Sequence, residues 1–236
     1  MGDRVNLTDQ VYAYLRDAIV SGALKSGSQH SVYRLSEELG VSRTPVREAV
    51  LRLADTGMVT VERNRGIRIH GTTVEEIRNV FELRLLIEVP AAAYAAKHGS
   101  EEFLASLRSA SAAMAAASAL NDEELFRSHD RALHGLIADV LGNRRLSSTL
   151  SGLRDVTRAR GAWTGNRSRE LKEIVSEHGD IVNALLARDA DAAAQAMHDH
   201  LERTGTLLMR QITDAAGDDL SEGWAHRLRG FGPVPS

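Results

Sequence analysis

The apolar positions of this chain change their spacing twice. Up to residue 53 they recur every three or four residues, from 58 to 70 they alternate, and from about 74 onward helical spacing returns and persists. In the first stretch Val11, Leu15, Ala18 and Ile19 make the inward stripe of a helix that Ser21-Gly22 ends. Leu35-Ser36-Glu37-Glu38-Leu39-Gly40 reads as a short amphipathic helix closed by a glycine, whose backbone freedom permits the left-handed exit of a sharp turn. The next helix opens at Val41-Ser42-Arg43-Thr44-Pro45. Ser42 or Thr44 can cap it, and Pro45 is tolerated because the first turn has no N–H partner to lose. Val46, Val50 and Leu53 then face inward, which leaves Arg43 and Arg47, four apart, together on the outer face. This is a helix-turn-helix pattern, with two guanidinium groups placed for phosphates and guanine edges.

Alternation over Met58 to Glu62 and Gly66 to His70 predicts two short strands, with Val59, Val61, Ile67 and Ile69 on one face. Arg63-Asn64-Arg65-Gly66 joins them as a turn with two cations at its tip, a wing suited to DNA backbone or minor groove. Charge agrees with this placement. Residues 1–71 hold ten Lys and Arg against eight Asp and Glu, and the remainder holds 19 against 24 within a total net charge of −3. A weakly basic module on an acidic body fits specific binding as a dimer better than general coating of nucleic acid.

The 236 residues suffice for two domains, and the boundary is placed at the small polar stretch His70-Gly71-Thr72-Thr73. Beyond it the spacing predicts six helices: Thr73 to about Lys97 behind a Thr73–Glu76 capping box, Ser100 to Ala119, Asn121 with Glu124 to Leu141, Arg144 to Gly161, Ser168 to Ala187, and Asp189 to Ile212. The expected fold is mainly α, an N-terminal winged helix-turn-helix (1–71) followed by an antiparallel bundle of six helices (72–215). Residues 216–236, with Pro233 and Pro235, are expected to form a mobile tail on which Trp224 can dock. The absence of cysteine excludes disulfides and thiolate ligands, no apolar run approaches the ~18 residues of a membrane span, and the polar N-terminus is no signal peptide; the expected location is cytoplasmic.

Chemistry concentrates on the inner faces of the bundle. Asp130 and His134 share a stripe with Phe126, Leu133, Ile137 and Leu141; His178 lies among Ile174, Ile181, Val182 and Leu185; His200 lies with Ala193, Met197 and Leu207. Burying such groups unpaired costs several kcal/mol, so four of them on three helices point to a shared partner, for which a divalent metal ion is the economical choice. His129 and His198 each sit one residue, ~100° of helix, away from a candidate and serve as internal controls. His30, His70, His98 and His226 read as surface residues.

Two resemblances follow from these residues. Leu39-Gly40-Val41-Ser42-Arg43-Thr44-Pro45-Val46-Arg47-Glu48-Ala49, with Leu53, Gly57-Met58-Val59 and Arg65-Gly66, resembles the winged helix of the GntR family of bacterial transcription regulators. The resemblance implies DNA contacts by Arg43, Thr44 and Arg47, with Gly66 letting the wing approach the backbone. Ser26-Gly27 replaces a common Pro-Gly, and Tyr33 stands where members commonly carry a DNA-binding arginine, so no base contact is assigned to it. The remainder resembles the FCD ligand-binding domain of the FadR-type subgroup, through Glu82-Leu83-Arg84 with Glu88, Asp130 to His134 before Leu141-Gly142-Asn143, Glu177-His178, and Met197 with His200-Leu201. It implies metal ligation by Asp130, His134, His178 and His200, and a small organic acid as effector; Leu133 replaces the usual aromatic residue.

The combined reading is a homodimeric repressor, released from a short palindromic operator by a small carboxylate bound at a divalent metal. Zinc is the first choice of ion, with nickel, manganese or iron as alternatives. Arg84 either reaches the effector or pairs with Glu88. A metal-dependent enzyme, a direct sensor of the metal and a protein-binding winged helix remain as alternatives.

Overall fold

In the computed structural model residues 7–20, 23–25, 27–62, 66–70, 73–159, 162–213 and 224–225 are described. The chain divides into two compact units, Met1–Thr73 with Val156–Ala162 and Val74–Asp155 with Trp163–Ser236. The first contains α1 (Leu7–Val20), β1 (Gln29–His30), α2 (Val32–Glu38), α3 (Arg43–Asp55), β2 (Val59–Glu62) and β3 (Gly66–Ile69). Val11, Leu15, Ile19, Leu35, Val46, Val50, Leu53, Val59, Ile67 and Ile69 form one buried cluster, as their spacing required. Thr8 Oγ1 donates to Glu48 at 2.7 Å and Arg52 pairs with Asp9 at 2.6 Å, so α1 fixes the back of α3.

Gly40 takes φ 65° in the turn that joins α2 to α3, a backbone conformation open to glycine at little cost. Ser42 is the N-cap residue of α3, yet its hydroxyl accepts no backbone N–H. The sheet has the order β1-β3-β2, antiparallel throughout, and so contains a strand that alternation did not predict: β1 is two residues long, too short to show a period. Val61 departs from expectation and is exposed, although it lies opposite Ile67. It sits on edge strand β2 beside the turn and has a neighbour on one side only. Ser21-Gly22 and the wing tip Arg63-Asn64-Arg65 lie outside the described residues. Gly66 has a reason internal to the domain: it takes φ 91°, and a Cβ there would collide with the His30 carbonyl.

The second unit holds α4 (Val74–His98), α5 (Glu101–Ala119), α6 (Glu123–Asp139), α7 (Arg144–Ala159) as far as Asp155, α8 (Leu171–Leu186) and α9 (Ala190–Ile212), the six helices expected. Ser100 and Asp189 cap α5 and α9 as read from the sequence. Two starts differ. Asn121 takes φ 52°, unsuited to an N-cap, and Asp122 instead accepts from the Leu125 N–H. α8 begins with a Glu170–Glu173 capping box, later than Ser168, because Ser168 and Arg169 both donate back to the Thr164 carbonyl in a turn. No helix among the described residues is long and apolar enough to cross a membrane. Of the tail, Trp224 is buried: its Nε1 donates to Thr206 at 3.0 Å, beside Gly205, where a Cβ would crowd the indole at 2.8 Å. Apart from Trp224 and Ala225, residues 214–236 lie outside the described residues, His226 among them.

Candidate functional site

Helices α6, α8 and α9 bring the four expected residues together. One ligand atom from each of Asp130, His134, His178 and His200 lies within 4.8 Å of every other. The three histidines are buried because their neighbours on the same helical faces, Leu133, Ile137, Ile174, Ile181, Met197 and Leu201, belong to the core. His129 and His198 stand outside this group, as their one-residue offset required. His198 is nevertheless buried, with Nδ1 3.4 Å from Asp199 and 3.6 Å from Glu202.

Each imidazole of the quartet already uses Nδ1. That of His134 donates to Glu88 Oε2, that of His178 to the Ile174 carbonyl at 2.8 Å, and that of His200 to Glu177 Oε2 at 2.9 Å. Those acceptors fix the tautomer and leave Nε2 of each ring as a lone pair. His134 Nε2 and His178 Nε2 then face each other at 3.1 Å, with Asp130 Oδ1 3.1 Å from the latter. Two lone pairs at that distance cannot satisfy each other. Burial lowers the His134 pKa to about 4, with Arg154 acting in the same direction, and burial also holds His200 well below the usual imidazole range. Burial pushes Asp130 up, but the Arg154 guanidinium paired with it holds the carboxyl well below its usual range. Imidazole nitrogens and one carboxylate converging in this way make a donor set that suits a borderline divalent cation: two nitrogens ~2.1 Å from one ion lie about 3.0 Å apart in octahedral and about 3.4 Å apart in tetrahedral geometry.

A layer of charges supports the quartet. Arg84 Nε donates to Glu88 Oε1 at 2.6 Å inside the core, so the guanidinium offered as an effector contact holds the carboxylate that orients His134. Glu177, which orients His200, takes Arg169 Nη1 on both oxygens, at 2.6 and 2.5 Å. Arg169 also donates to Thr164 and Thr204, which pins the turn before α8 to α9. Arg154 pairs with Asp130 Oδ2, on the side away from the imidazoles. Its Nε and Nη1 are buried and have no hydrogen-bond partner among the described residues, and a Glu88 oxygen lies 3.9 Å from Nη1. Sequence reasoning assigned no role to Arg154, Arg169 or Glu177. A signal existed for Arg154, which follows Leu146 and Leu150 at helical spacing on the inner stripe of α7.

On the first unit Arg43, Thr44 and Arg47 occupy the exposed side of the first turns of α3, and among the described residues no carboxylate pairs with either arginine. The guanidinium of Arg43 lies over the ring of Tyr33, 4.8 Å from its centre. Arg65 lies outside the described residues; Gly66 stands at the start of β3.

Comparison with known proteins agrees with both halves. The profile of "Bacterial regulatory proteins, gntR family" matches residues 7–69, and that of the "FCD domain" matches residues 79–203. The HTH-type transcriptional repressor RspR of Escherichia coli (strain K12) is 27% identical over 216 residues, which span 92% of this chain and 94% of that protein. The gluconate operon transcriptional repressor of Bacillus licheniformis is 24% identical over 198 residues, 82% of this chain and 81% of that protein. Among solved structures, the metal-free FCD domain of TM0439 superposes with a TM-score of 0.51 at 20% identity, covering 61% of this chain and 99% of that one.

Proposed function

Because the chain belongs to the GntR family of bacterial transcription regulators that carry an FCD domain, a family of DNA-binding regulators and not of enzymes, we propose that it is a repressor released from a palindromic operator by a small carboxylate. The observation that carries the proposal is the set of three imidazoles with Nδ1 engaged and Nε2 turned, with Asp130, on one point. Asp130, His134, His178 and His200 would hold a divalent ion, zinc first, with nickel, manganese or iron as alternatives. When bound, such an ion supplies Lewis acidity toward an anionic ligand.

The charges around the quartet favour an acid as that ligand. The carboxylates of Glu88, Asp130 and Glu177 are matched by the guanidiniums of Arg84, Arg154 and Arg169. A divalent ion at the quartet therefore adds positive charge that an anion offsets. Arg154 keeps Asp130 ionised and carries the unpartnered N–H groups, so we assign the effector's carboxylate to Arg154, whereas Arg84 serves Glu88. The gluconate operon named in one relative's description is consistent with a sugar or hydroxy acid.

Arg43, Thr44, Arg47 and the wing residues Arg65 and Gly66 form the proposed DNA surface. A palindrome requires two copies of the chain. The exposed side of α4 carries Leu83, Leu86 and Tyr94 at helical spacing, an apolar stripe that suits the contact between copies. Thermal-shift screening of organic acids against the metal-loaded protein, followed by operator binding with each hit, tests the proposal. Hits that require the metal and weaken operator binding support it. Release by metal ions alone returns the reading of a direct metal sensor, and hits that leave operator affinity unchanged refute the coupling.

A further inference from the structure

Tyr33 and Arg43 stand near the N-terminal ends of α2 and α3, and both side chains are exposed. The guanidinium carbon of Arg43 lies 4.8 Å from the centre of the Tyr33 ring. No carboxylate among the described residues pairs with Arg43, so the ring is the partner that the structure gives its guanidinium. A solvent-exposed stack of this kind adds little to the stability of the fold. Its consequence is orientation: a ring over one face of a planar guanidinium leaves the N–H edges free, and an edge is what reads O6 and N7 of guanine. Tyr33 is held in turn by its backbone, since α2 is capped by Ser31 accepting from the Arg34 N–H and its first turn is closed by Ser36 Oγ donating to the Tyr33 carbonyl.

We infer that Tyr33 is a positioning residue for DNA recognition, holding Arg43 with its edge outward so that the base preference set by Arg43 depends on the ring beneath it. The inference rests on Arg43 reading a base, as proposed above. It differs from a phosphate contact by Tyr33 itself, which would raise affinity for every sequence alike.

A duplex selected by the full-length wild-type protein from a randomised palindrome library supplies the probe. Affinities of wild type, Tyr33→Phe, Tyr33→Leu, Arg43→Ala and the Tyr33→Leu/Arg43→Ala double variant are then measured by fluorescence anisotropy on that duplex, on each single-base change of its half-site, and on a scrambled duplex. Tyr33→Phe should match wild type. Tyr33→Leu should lose about two- to fivefold of discrimination, the range of an exposed cation–π contact, at the base position that Arg43→Ala also relaxes. Its affinity for scrambled DNA should not change, and it should add nothing when Arg43 is already absent. Equal weakening of selected and scrambled DNA by Tyr33→Leu overturns the inference, as does an effect that persists without Arg43 or a Tyr33→Phe variant as impaired as Tyr33→Leu. If Arg43→Ala relaxes no position, the base-reading role of Arg43 falls first and takes the Tyr33 inference with it. Both side chains are exposed, so melting temperatures should coincide across the set; a variant that melts early is replaced by Tyr33→Gln for the same comparison.

Discussion

Chelation should lower the melting temperature of the protein as purified. His134 Nε2 and His178 Nε2 stand 3.1 Å apart, with the Asp130 carboxylate 3.1 Å from the second, so the three donor atoms crowd one point. An ion that binds this set and not the unfolded chain, present at a hundred times its dissociation constant, contributes ~2.7 kcal/mol; at ~2–4 °C per kcal/mol for a chain of this size, its removal lowers the midpoint by about 5–11 °C. Differential scanning calorimetry with and without EDTA, beside elemental analysis for bound metal, measures this directly. His134→Ala, His178→Ala and His200→Ala should start at the lower midpoint and ignore EDTA. His129→Ala and His198→Ala should respond as wild type does, His198 being the stringent control because it is also buried and near two carboxylates. An EDTA shift of equal size in His178→Ala, or none in a wild-type protein shown to contain metal, would refute the assignment of the quartet as ligands.

Arg47→Ala should reduce the preference for the selected duplex over scrambled DNA by about 5- to 150-fold, the value of one bidentate guanine contact of ~1–3 kcal/mol; equal losses on both duplexes would reassign Arg47 to the backbone. Arg169→Met should weaken metal affinity by about 10- to 100-fold, since it leaves the Glu177 carboxylate that orients His200 held only by the half-exposed Arg203, and competition against a colorimetric chelator reads the change. In metal-stripped protein His134 has its pKa lowered by burial to about 4 from an ordinary 6.5, so the folded state binds fewer protons than the unfolded chain between these values. The stability this represents is complete above pH 6.5 and is lost as pH falls toward 4, and urea midpoints across that window should decline; flat midpoints would show that His134 is not buried neutral. Leu86→Asp on the outer side of α4 should shift the protein from dimer to monomer in analytical ultracentrifugation while keeping its helical circular dichroism.

The elements were legible because each is written in one period. The stripe Val46, Val50, Leu53 and the turn at Gly40 placed α3, and the inward histidines could be picked out because Leu133, Ile181 and Met197 fixed the face they share. What escaped depends on contacts remote in sequence. Strand β1 exists because β3 pairs with it, and two residues carry no alternation. Val61 follows the pattern yet lies exposed, since alternation specifies a face and not whether that face is covered at an edge strand. Arg84 illustrates the limit for charges. Its spacing to Glu88 suggested a salt bridge, but that Glu88 in turn orients His134 on another helix cannot be read from either helix alone. Arg154 and Arg169 escape the sequence because an arginine on an amphipathic helix or in a turn ordinarily faces water, and only the burial of Arg169 and of two Arg154 nitrogens marks them as parts of the site.

If one acid, bound with the help of a metal at the Asp130–His134–His178–His200 quartet, sets the affinity for DNA, operator anisotropy with the best acid from the screen will separate metal-loaded from EDTA-stripped wild-type protein. Operator affinity should fall by about 5- to 150-fold, a coupling of ~1–3 kcal/mol, for the loaded protein, with no response from the stripped one. An equal response from the stripped protein, or a loaded protein that binds the acid and keeps its operator, would contradict that coupling.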